Sequence, residues 1–125
     1  MDHVLVVEDD HAICDIMCDA LREGGLSVEC VGDDQAAYRR IADLPTLAGL
    51  VLDVNLGAGT TGYDVARFAR QVIDDIAVIY VSGEVRASSL EAFGVPESTF
   101  VQKPFTPVEL VEAVTAKLSA KCELS

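Results

Sequence analysis

Basic side chains are scarce: nine Lys and Arg stand against 21 Asp and Glu, a formal net charge of −12. Affinity for nucleic acid comes largely from Lys and Arg neutralising phosphates, so this balance argues against direct nucleic-acid binding. Any control of genes would pass through a partner. No apolar run approaches the ~18 residues of a membrane helix, and the acidic start "MDHVLVVEDD" lacks the basic head and long apolar core of a signal peptide. Cytoplasmic location and no membrane partner are therefore expected. Linkers, repeats and low-complexity segments are absent too, so one domain, residues 1–121 with a short tail at 122–125, is expected to carry the function. A chain of 125 residues buries roughly two-thirds of the surface its unfolded form exposes, enough for one compact core.

Cysteines are few: Cys14, Cys18, Cys30 and Cys122. Cys14 and Cys18 lie four apart in a helix-like segment with His11 one turn earlier, so three soft ligands share a face, but a fourth at familiar spacing is missing. Free cysteine is among the most buried residue types, and the four are read as reduced packing residues.

What the chain has is short apolar runs rich in Val, Ile and Leu: "HVLVVE" (3–8), "VECV" (28–31), "LVLD" (50–53), "IAVIYV" (76–81) and "TFVQ" (99–102). Several are apolar without a break, as strands covered on both faces must be. Helix-like segments lie between them. In the first, Ile13, Ile16, Met17, Ala20 and Leu21 share a stripe, and Gly24-Gly25 offers a stop. Others span about Gln35 to Ala42, about Tyr63 to Val72, and a short stretch near 87–93. The last opens with Thr106 as N-cap, Pro107 at the first helical position and Glu109 completing a capping box, and should end near Ala120. Strands alternating with helices predict an α/β fold, a five-stranded parallel sheet with helices on both faces.

In such sheets ligands bind beyond the carboxyl ends of the strands. Those ends carry Glu8-Asp9-Asp10, Asp53 with Asn55 two later, Ser82-Gly83 and Lys103-Pro104. If the first and third strands are neighbours, Asp9 and Asp53 repel unless compensated, and Mg²⁺, which takes one or two carboxylates and keeps waters and substrate phosphate, is the natural compensation. An aspartate beside a metal and a lysine can act as nucleophile toward phosphorus, with Ser82 donating to a phosphoryl oxygen. Asp10 is read as a helix cap, His3 and His11 as ordinary side chains, and Tyr63 and Tyr80 as packing residues.

The acidic pair after "VLVV", the "LDVN" and "VSG" strand ends and "KPF", in this order and across essentially the whole chain, make it resemble the receiver domains of two-component response regulators (the CheY-like superfamily). That resemblance implies the flavodoxin-like (βα)5 fold with strand order 2-1-3-4-5. It implies Asp53 as phosphoacceptor, Asp9 as a direct Mg²⁺ ligand, Glu8 as a ligand acting mainly through water, and Asn55 as a ligand through its backbone carbonyl. Ser82 and Phe100 would be the switch residues, Lys103 would contact the phosphoryl group, and Lys103-Pro104 would be a cis peptide, a geometry that physics allows mainly before proline. The donor would be a phosphohistidine on a histidine kinase or histidine phosphotransfer protein, the output a downstream protein effector, and the chemistry self-catalysed phosphoryl transfer and autodephosphorylation rather than enzyme turnover.

Three departures stand out. Where many relatives carry proline four and glycine eight residues after the acceptor, this chain has Gly57 and Thr61, with Gly62 at nine. The loop is thus one residue longer, and Gly57 to Gly62 is expected to become more ordered with Mg²⁺ and phosphate. Phe100 lacks the hydroxyl of the commoner tyrosine, and the fourth helical segment, part of the usual output face, is short with Pro96 just beyond it. Among the alternatives, a haloacid-dehalogenase-like phosphatase would need a second aspartate where Asn55 stands. A phosphorylation-independent pseudo-receiver would show a broken acidic pocket, and a flavin module would find "EDDHA" repulsive to its phosphate.

Overall fold

The computed structural model describes residues 2–54, 62–83 and 94–124, with side chains through 119. In chain order it contains β1 (His3–Val7), α1 (His11–Glu23), β2 (Ser27–Val31), α2 (Asp34–Asp43), β3 (Gly49–Asp53), α3 (Gly62–Val72), β4 (Ala77–Ser82), β5 (Thr99–Gln102) and α4 (Pro107–Leu124). The strands form one parallel sheet in the order β2-β1-β3-β4-β5. The segment expected to be helical near 87–93 lies outside the described residues, as do Asn55 and most of the glycine-rich loop.

The unbroken apolar strands are explained by their two covered faces. Alternate residues of β1 point opposite ways: Leu5 and Val7 join Leu50, Leu52, Val78 and Tyr80 under α2 and α3. Val4 and Val6 join Val51, Ile79 and Val81 under α1 and α4. Each such buried aliphatic side chain contributes about 1.5–3 kcal/mol of transfer free energy. In α4 the core-facing positions Leu110, Val114 and Leu118 recur every fourth residue, one stripe of a helix.

Local signals set the element ends. Asp10 caps α1, accepting from the amides of Ala12 at 2.9 Å and Ile13 at 3.2 Å. Asp33 caps α2 through the Ala36 amide at 2.7 Å, and the Thr106 hydroxyl accepts from the Glu109 amide at 3.1 Å in the expected box. Past α1, Gly25 takes a φ of 93°, a conformation nearly reserved for glycine. One boundary is corrected. The last helix runs to Leu124 rather than fraying near Ala120, because residues 116–124 hold neither glycine nor proline to stop it.

The cysteine expectation is also corrected. Cys14 on α1 and Cys30 on β2 are joined in a disulfide, with Cα atoms 6.5 Å apart, inside the span such bonds bridge. Helix and strand pack face to face there, a meeting that chain spacing does not reveal. Cys18 is free and buried. Elsewhere the packing readings hold: Tyr63 and Tyr80 meet edge to face at 5.1 Å, and His3 Nδ1 hydrogen-bonds the Ser27 hydroxyl at 2.8 Å.

Candidate functional site

Parallel strands all end on one edge of the sheet, so β1, β3, β4 and β5 deliver their following residues to a common place. Glu8 and Asp9 follow β1, Asp53 ends β3, Ser82 ends β4, and Lys103 follows β5. Among the described residues, the buried polar or charged side chains are Glu8, Asp53 and Ser82. All three lie at this edge, whereas buried carboxylates are otherwise rare unless paired.

Backbone hydrogen bonds extend the sheet ladder into the site. The Glu8 amide donates to the Val31 carbonyl at 3.1 Å, the Val54 amide to the Val81 carbonyl at 3.2 Å, and the Lys103 amide to the Ser82 carbonyl at 2.9 Å. The Lys103–Pro104 peptide is cis. From this frame Lys103 Nζ donates to Asp53 Oδ2 at 2.7 Å and to Glu8 Oε2 at 3.3 Å. The Asp10 amide donates to Glu8 Oε1 at 3.3 Å. Asp10 itself is turned to the helix cap, as expected.

Charge is not balanced there. Carboxylate oxygens of Glu8, Asp9 and Asp53 all lie within 4.8 Å of one another, against one ammonium. Burial first, and then the Asp53 charge, push Glu8 up to about 7, while Lys103 pulls it down only in part. Burial works against the Lys103 ammonium, yet its hydrogen bond to Asp53 and the charges of Asp53 and Glu8 outweigh that and raise its pKa. The residues fit a hard divalent cation: a few gathered carboxylates make the oxygen-only donor set that Mg²⁺ takes, with waters and substrate phosphate completing it.

Gly62 is a participant that spacing alone undervalued. Its amide donates to the Val54 carbonyl at 2.7 Å. A Cβ there would collide with the Asp53 carbonyl oxygen and lie 3.1 Å from Val54 Cα. The start of α3 thus presses directly on the backbone that bears Asp53, one residue later than the usual offset. A glycine opening a helix close after a strand-end acid was the available signal.

Ser82 and Phe100 stand on adjacent strands. Tyr80 is paired with Phe100 and Ser82 with Gln102, and Phe100 packs half-buried on the core cluster that contains Tyr80. The Tyr80 hydroxyl accepts from the Val95 amide at 3.0 Å. Outside β5 an open depression of about 410 Å³ is lined by Phe100, Gln102, Lys103, Pro104 and Glu109. His11 is exposed on α1 and takes no part in the acidic cluster.

A sequence model of the response regulator receiver domain matches residues 4–115. The chain belongs to that family. Among curated relatives, this receiver domain is 28% identical over 116 residues to response regulator protein TodT of Pseudomonas putida, a match covering 92% of this chain and 50% of that protein. It is 33% identical over 119 residues to the DNA-binding response regulator MtrA of Mycolicibacterium smegmatis, again covering 92% and 50%. The chain thus spans about half the length of the curated relatives it matches. Among solved structures, a response regulator receiver protein from Sinorhizobium medicae matches with a TM-score of 0.89 at 28% identity, covering 96% of both chains. The receiver domain of the hybrid histidine kinase CckA matches with a TM-score of 0.79 at 26% identity, covering 93% of this chain and 98% of that one. The strand order of this receiver is the expected 2-1-3-4-5. Among the described residues no helix is long and apolar enough to cross a membrane.

Proposed function

We propose that Asp53 accepts a phosphoryl group from a phosphohistidine on a histidine kinase or histidine phosphotransfer protein, and that the domain signals to a downstream protein by changing shape. The observation that carries this reading is Lys103 Nζ 2.7 Å from Asp53 Oδ2, in a pocket where two further carboxylates gather. Lys103 pairs with Glu8 and Asp53, and Asp9 completes the acidic cluster beside them.

Glu8, Asp9 and Asp53 would hold Mg²⁺, with the Asn55 backbone carbonyl as the remaining ligand implied by family resemblance. Bound there, the ion would supply neutralisation of charge on the transferring group. Asp53 Oδ attacks phosphorus as the nitrogen–phosphorus bond of the donor breaks, and the imidazole leaves with the electron pair. Lys103 then moves its hydrogen bond from the free carboxylate to a phosphoryl oxygen, and the Ser82 hydroxyl donates to another. Water attack on the acyl phosphate regenerates Asp53, so the domain's own catalysis is limited to transfer and autodephosphorylation.

The output follows from strand adjacency. Drawing Ser82 toward phosphate frees space beside Tyr80, and Phe100 turns inward from the depression that it lines, altering the surface between β5 and α4. Phe100 does so without the hydroxyl that would add a hydrogen bond. The reading takes the receiver unit to run through the whole of α4, past the expected boundary at residue 121, and to act in the cytoplasm. Incubation with Mg²⁺ and acetyl phosphate should yield an ~80 Da, acid-stable and base-labile adduct, the behaviour of an acyl phosphate. No adduct on the wild type, or an equal one on Asp53→Asn, overturns the reading.

A further inference from the structure

The disulfide of the fold sits under the acidic loop. Cys14 lies in the second turn of α1, where its amide donates to the Asp10 carbonyl at 2.9 Å. Cys30 directly precedes Val31, whose carbonyl accepts the Glu8 amide at 3.1 Å. A bond between the two sulfurs therefore joins the two backbone segments that hold Glu8, Asp9 and Asp10 from either side. Cys30 is half-buried, whereas Cys14 is 6% exposed beneath it. A third sulfur, Cys18, lies one helical turn on, and all three come within 4.8 Å of one another.

We propose that Cys14 and Cys30 form an oxidant-responsive modification site whose closure tightens Mg²⁺ binding at the neighbouring acidic pocket. The Cys30 thiolate attacks one oxygen of hydrogen peroxide as the O–O bond breaks, giving a sulfenic acid, and the other oxygen leaves as hydroxide that takes up a proton to become water. The Cys14 thiolate then attacks that sulfur, expelling the second oxygen as water. Two thiols lose two electrons, and one hydrogen peroxide takes them up to become two waters. A dithiol reductant reverses the step by exchange. Cys18 stays outside the pair because the sulfurs that meet are those of Cys14 and Cys30, which leaves Cys18 free on the next turn of α1. The closed bond restricts the start of α1 against the end of β2, so the loop between them enters metal binding with less freedom to lose.

The first part of this inference stands apart from the phosphoacceptor reading, and the second rests on it. The test takes the full chain reduced with dithiothreitol and desalted, with half treated with hydrogen peroxide. Alkylation, intact mass and peptide mapping should show two fewer free thiols and a Cys14–Cys30 linkage after peroxide, retained in Cys18→Ser and lost in Cys30→Ser. Calorimetric Mg²⁺ titration should show binding about five-fold tighter in the oxidised wild type, with one affinity for Cys30→Ser under both treatments. Full alkylation after peroxide, or a linkage through Cys18 or between chains, overturns the proposal. So does protection of all three thiols by Zn²⁺ in a parallel sample, which would make the cluster a metal site. Equal, measurable Mg²⁺ affinities overturn the coupling alone, whereas no binding in either form overturns both the coupling and the acidic metal site.

Discussion

Among the described residues, Glu8 carries the clearest conflict between burial and charge. Its carboxyl is 2% exposed and held at about 7, against an ordinary 4.5. Between those values the folded state keeps a proton that the unfolded chain has released, so stability falls as pH rises from about 4.5 to about 7. Glu8→Gln removes that slope. Without divalent cations it should be more stable than the wild type at pH 8 by on the order of 1–3 kcal/mol, and the two should converge at pH 4.5. Urea melts at both pH values check this, and parallel profiles would refute it. Gly62 makes the opposite demand, since its lack of a side chain is what the site uses. Gly62→Ala should cost roughly 1–3 kcal/mol by forcing α3 away from the Asp53 backbone, and should slow adduct formation from acetyl phosphate. Unchanged melts and unchanged adduct rates would show that the α3 start does not position Asp53.

At the scale of elements, two helices share the same kind of cap but differ in what precedes it. Asp10 caps α1 directly after the metal-site acids, and Asp33 caps α2 at the end of the edge strand β2. Asp10→Ala and Asp33→Ala should each cost about 1 kcal/mol in denaturant melts. Only Asp10→Ala should weaken Mg²⁺ binding, because it frees the turn that carries Glu8 and Asp9. Unchanged Mg²⁺ affinity in Asp10→Ala would mean that the cap serves α1 alone. The same elements explain what was legible beforehand. Strands buried on both faces write themselves as apolar runs, and strand-end residues then fall at predictable places, which is how Glu8, Asp53, Ser82 and Lys103 were found. Three features were not legible in that way. The Gly62 contact is shifted by one residue, the Cys14–Cys30 meeting exists only once α1 lies on β2, and a helix without a stop residue gives no sign of where it ends. Strand order was likewise not written in any single run; it came from the family resemblance.

At the scale of the whole molecule, the net charge of −12 and the three-acid pocket act in the same direction. General self-repulsion opposes the compact state, and any salt relieves it by screening. The pocket adds a local repulsion that screening reaches poorly, because Glu8 and Asp53 are buried. A divalent ion bound between them acts instead by mass action, stabilising by about 2.7 kcal/mol at a hundred times its dissociation constant. Thermal melts should therefore separate the two effects. MgCl₂ should raise the Tm by several degrees more than NaCl at matched ionic strength, and the excess should shrink in Glu8→Gln and Asp53→Asn while the NaCl response stays as in the wild type. An equal shift from both salts would show that the acids are a repulsive surface and not a metal site. In that event the raised pKa of Glu8 would reflect burial beside Asp53 alone, and the phosphoryl chemistry would lose its cation.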